Sequence, residues 1–392
     1  MYRILNEMKS MFSKMADVIK NLDKRQYLPS EKDIEHKDIK ELSNILKEDS
    51  EVKTLTNILE WQERNIIYWA ERAYMHLLLG MIAMISVWFL PKLEPQIKVI
   101  LTLLVLVVLS LGNIYFYLPT QIILLGWLLF VLWSLYRINP LVGMQVVSLE
   151  YVMGLSAILG GIISPIVYLW LKYRTIKYYI PNFKLSDTFE TSLSVEKILK
   201  YRLAVCRDYA KLTAALLFNL YPKNEIYFIE IPSHVATGIK IGNKIYVLDQ
   251  RLPITSLERW IGYWRSRLNK KSLNVIILKA FYQEGRIKIE EVDKREVKNL
   301  SIPIVDVNSL NKRLLEELGI EKMTVSNKVE KIKSIRLKDM ALKYENDEIV
   351  EYSMVRAFKN KILNEFCGDI KKITKIAVQQ DGKDIVLNIF YF

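Results

Sequence analysis

Apolar residues recur along this chain in three different rhythms, each marking a different stretch. Through residues 1 to 70 they return every three or four positions: Ile4, Met8, Met11, Met15, Val18 and Leu22, then Leu42, Ile45, Val52, Leu55, Ile58 and Leu59. That spacing predicts two long amphipathic helices. They are broken at Tyr27-Leu28-Pro29-Ser30, where a proline interrupts helical hydrogen bonding. Two such stripes bury each other as a helical hairpin. The alternative is a coiled-coil seam with a second copy, which makes the chain a homo-oligomer through its N-terminal helices.

The second stretch is apolar almost without interruption. From about Ala73 to Tyr173, Leu, Ile, Val, Met, Phe and Trp dominate. Four membrane spans are predicted, at roughly 73–90, 97–118, 120–137 and 148–171, each near the ~20 residues a bilayer crossing needs. Pro91, Pro119 and Pro140 fall between them, and Trp88, Tyr115, Tyr117, Trp133, Tyr136, Tyr168 and Trp170 cluster near their ends, as interfacial aromatics do. The third span is short, so three spans are the other count. His76 and Glu150 are the ionisable groups placed within spans, the usual flag for an ion or proton pathway. His76 lies within a turn of a boundary and Glu150 at a helix start, which weakens that flag.

From Ser186 the rhythm becomes mixed, and the fold class expected there is α+β. Helices are predicted at about 194–203 and 206–220. Strands follow at 226–231, 234–241, 244–250, 274–282 and 286–292, with Gly242-Asn243 and Gly285 at hairpin turns. Beyond Ser301 a smaller α+β region is expected. It has a helix near 308–318, an alternating strand near 335–344, and a helix carrying Val350, Met354, Phe358, Ile362 and Phe366. A closing hairpin turns at Asp381-Gly382. The predicted domains are therefore 1–72 (helical), 173–300 and 301–392 (α+β), with a transmembrane block at 73–172.

Charge sharpens this picture. The chain has 392 residues and a net charge of +13, carried mostly by the flanks of the apolar block. Such a balance suits anionic lipid headgroups. No nucleic-acid motif accompanies it, so a nucleic-acid partner is not expected. Lys172, Arg174, Lys177 and Lys184 follow the last span with no acid before Asp187. The positive-inside rule then places the C-terminal part in the cytoplasm of a multi-pass cell-membrane protein. Residues 1 to 30 are charged throughout, which argues against a signal peptide. Two cysteines, Cys206 and Cys367, form no disulfide framework and suit a reducing compartment.

Those two cysteines share the chain with only three histidines, and the order Cys206, His234, Asp249 carries the chemistry. If Gly242-Asn243 is the turn, Ile241 pairs with Lys244 and Ala236 lies opposite Asp249. His234 shares the face of Ala236, so His234 and Asp249 become diagonal neighbours, about 7–8 Å apart between backbones. An imidazole and a carboxylate span that gap. Ala236 and Gly238 on the same face leave room for a close approach. The helix stripe Cys206, Ala210, Thr213, Ala214 and Leu217 is small near the cysteine and is expected to dock there. At a helix start the free N–H groups and the helix dipole favour negative charge on sulfur. Asp208 opposes this, and Arg202 and Arg207 partly offset it. The expected roles are Cys206 as nucleophile, His234 as general base and acid, and Asp249 as the group that orients the imidazole. The Cys206 backbone N–H is one candidate oxyanion donor. One Cys and one His, with no C-x-x-C or H-x-x-x-H partner, leave too few ligands for a metal, and no cofactor is expected.

Cys206-Arg207-Asp208-Tyr209-Ala210 and the apolar helix after it resemble the nucleophile motif of the transglutaminase-like superfamily. His234-Val235-Ala236, and Ile245 through Gln250, resemble that family's histidine strand and the aspartate strand after it. The resemblance covers about 190 to 255. It implies a papain-like α+β fold and thiol acyl transfer on protein or peptide amides, by cross-linking, deamidation or hydrolysis. Membrane-fused microbial members are regarded as proteases. Two departures stand out. Ala204-Val205 replaces the glycine common before the cysteine, and Val235-Ala236 replaces an aromatic after the histidine, which alters the acceptor pocket. The calcium sites of animal members have no counterpart here. The expected protein is a membrane-anchored cysteine peptidase or amidase; the alternative is a non-catalytic scaffold that keeps the fold.

Overall fold

A computed structural model describes residues 26–68, parts of 173–187, and residues 192–232, 234–283, 286–297, 301–320 and 331–392. The chain divides into two compact units, Met1–Asp23 with Trp69–Thr191, and Lys24–Tyr68 with Ser192–Phe392. The predicted helix of residues 4–22 and the four predicted spans lie outside the described residues. Among the described residues no helix is long and apolar enough to cross a membrane.

The second unit starts with three helices, α1 (Glu31–Ile34), α2 (Lys37–Leu46) and α3 (Glu51–Asn65), where one long helix is predicted. The polar run Lys47-Glu48-Asp49-Ser50 breaks it. Thr54 there accepts the Glu48 backbone N–H at 2.9 Å, a side-chain bond that competes with helix continuation. Ser30 and Asp33 form a reciprocal capping box at the start of α1. The other carboxylate oxygen of Asp33 accepts the Val195 N–H at 2.8 Å, across the unit.

The apolar stripe of these helices is buried largely against the α+β core. Ile39, Leu55, Ile58 and Leu59 are fully buried in one core with Leu212 and Leu216 of α5 (Cys206–Leu220), which follows α4 (Val195–Tyr201). Residues 24–68 thus lie in the same compact unit as residues 192–392. The reason is that α5 is apolar nearly all round and buries more than one side. Leu55→Ala should therefore lower the unfolding free energy of the whole α+β unit by about 2–5 kcal/mol. Denaturant unfolding followed by far-UV circular dichroism checks this. A separate, early transition confined to a small helical signal would refute it.

Two short strands, β1 (Ile67–Tyr68) and β2 (Leu203–Ala204), pair in parallel just ahead of α5. The main sheet has six antiparallel strands in the order β6-β5-β4-β3-β7-β8. They are β3 (Ile226–Ile231), β4 (His234–Ile241), β5 (Lys244–Leu248), β6 (Thr255–Ser256), β7 (Leu273–Gln283) and β8 (Arg286–Val297). Ile241 pairs with Lys244 and Thr237 with Leu248, the register read from the Gly242 turn. One face, with Phe228, Val235 and Ile239, packs against α5 and the N-terminal helices. The other, with Ile229, Ala236 and Val247, packs against α6 (Leu257–Arg267).

The C-terminal region has its own core, built from α7 (Val307–Leu318), α8 (Glu348–Glu365) and a three-stranded sheet, β10-β11-β9. These strands are β9 (Lys331–Leu337), β10 (Ile373–Asp381) and β11 (Asp384–Tyr391). The strand predicted at 335–344 ends early, and Met340–Lys343 forms a turn of 3-10 helix. The region also docks on the main sheet. The Ile254 N–H donates to Ser353 at 3.0 Å, Tyr246 donates to Asp347 at 2.8 Å, and Arg356 makes a two-pronged bond to Glu60 of α3 at 2.7 and 2.8 Å.

Candidate active site

Cys206 is the first residue of α5, after an extended Val205 that offers no side-chain cap. Its backbone N–H, like others in a first turn, has no acceptor within the helix. What fixes this turn is the rest of its motif. The buried Asp208 carboxylate accepts from the Val205 N–H (3.1 Å), the Leu193 N–H (3.0 Å) and the Ser192 hydroxyl (2.9 Å). Lys211, also buried, donates to Ser192 Oγ and to the Leu193 carbonyl. Tyr209 donates to the Ile66 carbonyl at 2.9 Å and stacks on Tyr68, fastening the turn to β1. The charge of Asp208, expected to work against a thiolate, is engaged by these donors.

His234 opens β4. Its Nε2 lies 2.9 and 3.0 Å from the two carboxylate oxygens of Asp249, and Cys206 is near enough to act on its titration. With Nε2 committed to Asp249, Nδ1 is left for the sulfur. Asp249 stands one residue beyond the end of β5, followed by Gln250 at φ 61°, a left-handed conformation that non-glycine residues seldom adopt. Such strain marks a turn held by its surroundings rather than by local preference.

The docking of α5 differs from expectation. The helix lies against the Val235, Thr237 and Ile239 face, where Thr237 donates to the Ala210 carbonyl at 2.8 Å. It does not cover the Ala236 and Gly238 face, where His234 points. On that face a Cβ at position 238 would come within 3.0 Å of Ile229 Cδ1 and Ile245 Cγ2, so the glycine makes room for those side chains. Cys206 and His234 are each the first residue of their element.

Two residues absent from the sequence reading complete the site. Trp260 and Trp264, one turn apart on α6, both donate their indole N–H to Asp249 Oδ2, at 2.8 and 3.0 Å. The Trp264 ring also lies 4.1 Å from the imidazole centroid and Trp260 6.0 Å, forming a wall behind His234. The spacing Leu257, Trp260, Ile261, Trp264, Leu268 is a legible helical stripe and would have found α6. It would not have shown that both indoles point at one carboxylate. Outside this wall, Arg267 stacks on Trp264 (5.2 Å) and Lys343 lies 4.3 Å over Tyr263. Burial pulls the Lys343 ammonium below its usual range, with Arg267 acting in the same direction and Asp249 against it.

The electrostatics follow the contacts. Burial alone would lower the pKa of His234. The Asp249 charge and hydrogen bond, with the Cys206 contact, outweigh it and raise the value from 6.5 to about 9. For Asp249 burial pushes upward, but His234 and the two indole donors leave it below its usual range. The raised imidazole stabilises the fold fully below pH 6.5, and that contribution is lost as pH rises through about 9. Asp249 acts oppositely, its contribution vanishing as pH falls below its ordinary range. With three histidines in the chain, ring NMR can follow His234 directly. Its midpoint should lie near pH 9 and fall by more than one unit in Asp249→Asn. An unchanged midpoint in that variant would show that the carboxylate does not hold the charge.

The other cysteine, Cys367, is exposed in the C-terminal region. No group of three or more His, Cys, Asp or Glu suited to a metal occurs among the described residues.

An α+β unit with a cysteine at a helix start and a strand histidine bonded to an aspartate is compatible with a cysteine-based enzyme. A family model described as "Transglutaminase-like domain" matches residues 37–277, and the chain belongs to that family. The match begins in α2, in keeping with the shared core of the N-terminal helices and α5. The chain is also similar to "UPF0252 protein MJECL39" of Methanocaldococcus jannaschii, 29% identical over 91% of this chain and 93% of that protein. "UPF0252 protein PH0672" of Pyrococcus horikoshii is 25% identical over 59% of this chain and 80% of its own length. No solved structure matches the chain.

Proposed function

We propose that this protein is a cysteine peptidase or amidase that cleaves protein or peptide amide bonds through an acyl-enzyme. The observation that carries the reading is the hydrogen-bonded set of His234, Asp249, Trp260 and Trp264, with Cys206 at the start of α5 acting on the His234 ring. The Cys206 thiolate attacks the amide carbonyl carbon, and the carbon–nitrogen bond breaks as the His234 imidazolium gives its proton to the departing amine. A thioester remains. The neutral imidazole then takes a proton from water, whose oxygen attacks the thioester, and collapse releases the acid and returns the proton to the sulfur–imidazole pair. Asp249 keeps the ring oriented and stabilises its positive charge. The Cys206 N–H supplies one donor to the oxyanion. An amine in place of water would give transfer instead of hydrolysis. The apolar block at 73–172 anchors the enzyme to the membrane, with the α+β unit on the cytoplasmic side and its substrates near the lipid surface.

The test is to trap the acyl-enzyme from a cell lysate on the full-length chain and identify the modified residue by mass spectrometry. A fragment on Cys206, none on Cys367, and none in Cys206→Ala is the expected result. Slow and equal modification of both cysteines would favour a non-catalytic scaffold.

A further inference from the structure

We infer that a second pocket, on the outer face of α6, binds the phosphate group of a small phosphorylated ligand. This cavity of about 200 Å³ lies between α6, the segment at Ser301 and the C-terminal region. Arg259, Arg265 and Ser266 of α6 line it, with Ser301, Leu342 and Lys383 opposite. Its lining holds three cations and two serine hydroxyls but no carboxylate.

The charge balance inside the cavity is unusual. The Arg265 side chain has neither a hydrogen bond nor an ion pair among the described residues, and its Nε is sealed from solvent with no acceptor. Leaving a guanidinium nitrogen buried and unpaired is costly, and an anion in the cavity removes that cost. Arg259 donates to the Ser301 carbonyl at 3.1 Å, a neutral partner that orients its fork and leaves the charge uncompensated. Lys383 is the one cation already paired, 2.9 Å from Asp339. Two uncompensated guanidinium groups therefore face one small space. A phosphate monoester carries nearly two negative charges at neutral pH and presents the oxygens that planar guanidinium forks recognise. A single carboxylate would satisfy half of that charge. The serine hydroxyls suit the remaining phosphate oxygens.

The pocket sits back to back with the candidate active site. Arg259 and Ser266 leave one side of α6 while Trp260 and Trp264 leave the other to hold Asp249. A ligand there would brace the helix that carries both indoles. Whether the pocket is occupied can be tested without reference to Cys206 chemistry.

Isothermal titration of the full-length chain with inorganic phosphate, and separately with glycerol 3-phosphate, tests the site. Saturable one-to-one binding is expected, weakened at least tenfold in Arg265→Met and unchanged in Lys270→Met. Unfolding curves taken without phosphate verify that each variant folds. Should Arg265→Met not fold, Arg259→Met carries the same comparison. Phosphatidic acid vesicles form a further arm. Arg265-dependent binding to them but not to glycerol 3-phosphate assigns the phosphate to a lipid headgroup, and the converse assigns it to a soluble ester. Absence of saturable binding to all three probes, or equal affinity in the arginine variants, overturns the proposal.

Discussion

Replacing His234 by alanine should slow acylation of Cys206 by an amide substrate about 10³-fold, with the fold intact. The imidazole contributes twice. Its positive charge stabilises the thiolate, and its proton departs with the amine. Alanine removes both, along with the ring that Asp249 holds. Asp249→Ala should fall in a similar range, because an unsupported buried imidazole is pulled toward neutrality by desolvation, the first of the effects acting on it. The double variant should be little worse than either single one, as groups that act as a unit are not additive. Single-turnover acylation, read by intact mass, measures all three. Rates within a few-fold of the parent would mean that the sulfur reacts without the ring, and the proposed mechanism would fall.

Asp208→Ala is expected to cost about 3–5 kcal/mol of stability, the range seen when one partner is removed from a buried charged network. Three donors lose their acceptor at once: the Val205 and Leu193 N–H groups and the Ser192 hydroxyl. Lys211 would keep its charge in the same buried place, donating to Ser192 and Leu193. Asp208→Asn keeps one acceptor oxygen and should cost less, about 1–2 kcal/mol. Denaturant unfolding gives both values. The acylation rate of Asp208→Asn separates support from chemistry: a change within a few-fold fits an anchoring residue, whereas a 10³-fold loss would place Asp208 among the reacting groups.

The transglutaminase-like resemblance rests on short motifs, yet the family match extends from residue 37 to 277. The added stretch is explained by packing. Gln62 donates to Thr213 in the middle of α5 at 2.8 Å, inside the protein, so α3 is as much a part of this fold as the sheet is. A periodic stripe such as Leu42 through Leu59 reports that a helix buries one side. It carries no information about which surface does the covering, and a hairpin, a dimer or another helix satisfies it equally.

The same division runs through the candidate site. Local order in the chain was sufficient for the hairpin register, for α5 beginning at Cys206, and for His234 and Asp249 as neighbours. Each of these depends on contacts close in sequence: a two-residue turn, a helix start, alternation along a strand. The face on which α5 rests, the pair of indoles on Asp249 and the three donors on Asp208 depend on contacts between distant segments. Those are set by how helices and sheet fill space together, and close packing of volumes leaves no periodic trace in the order of residues.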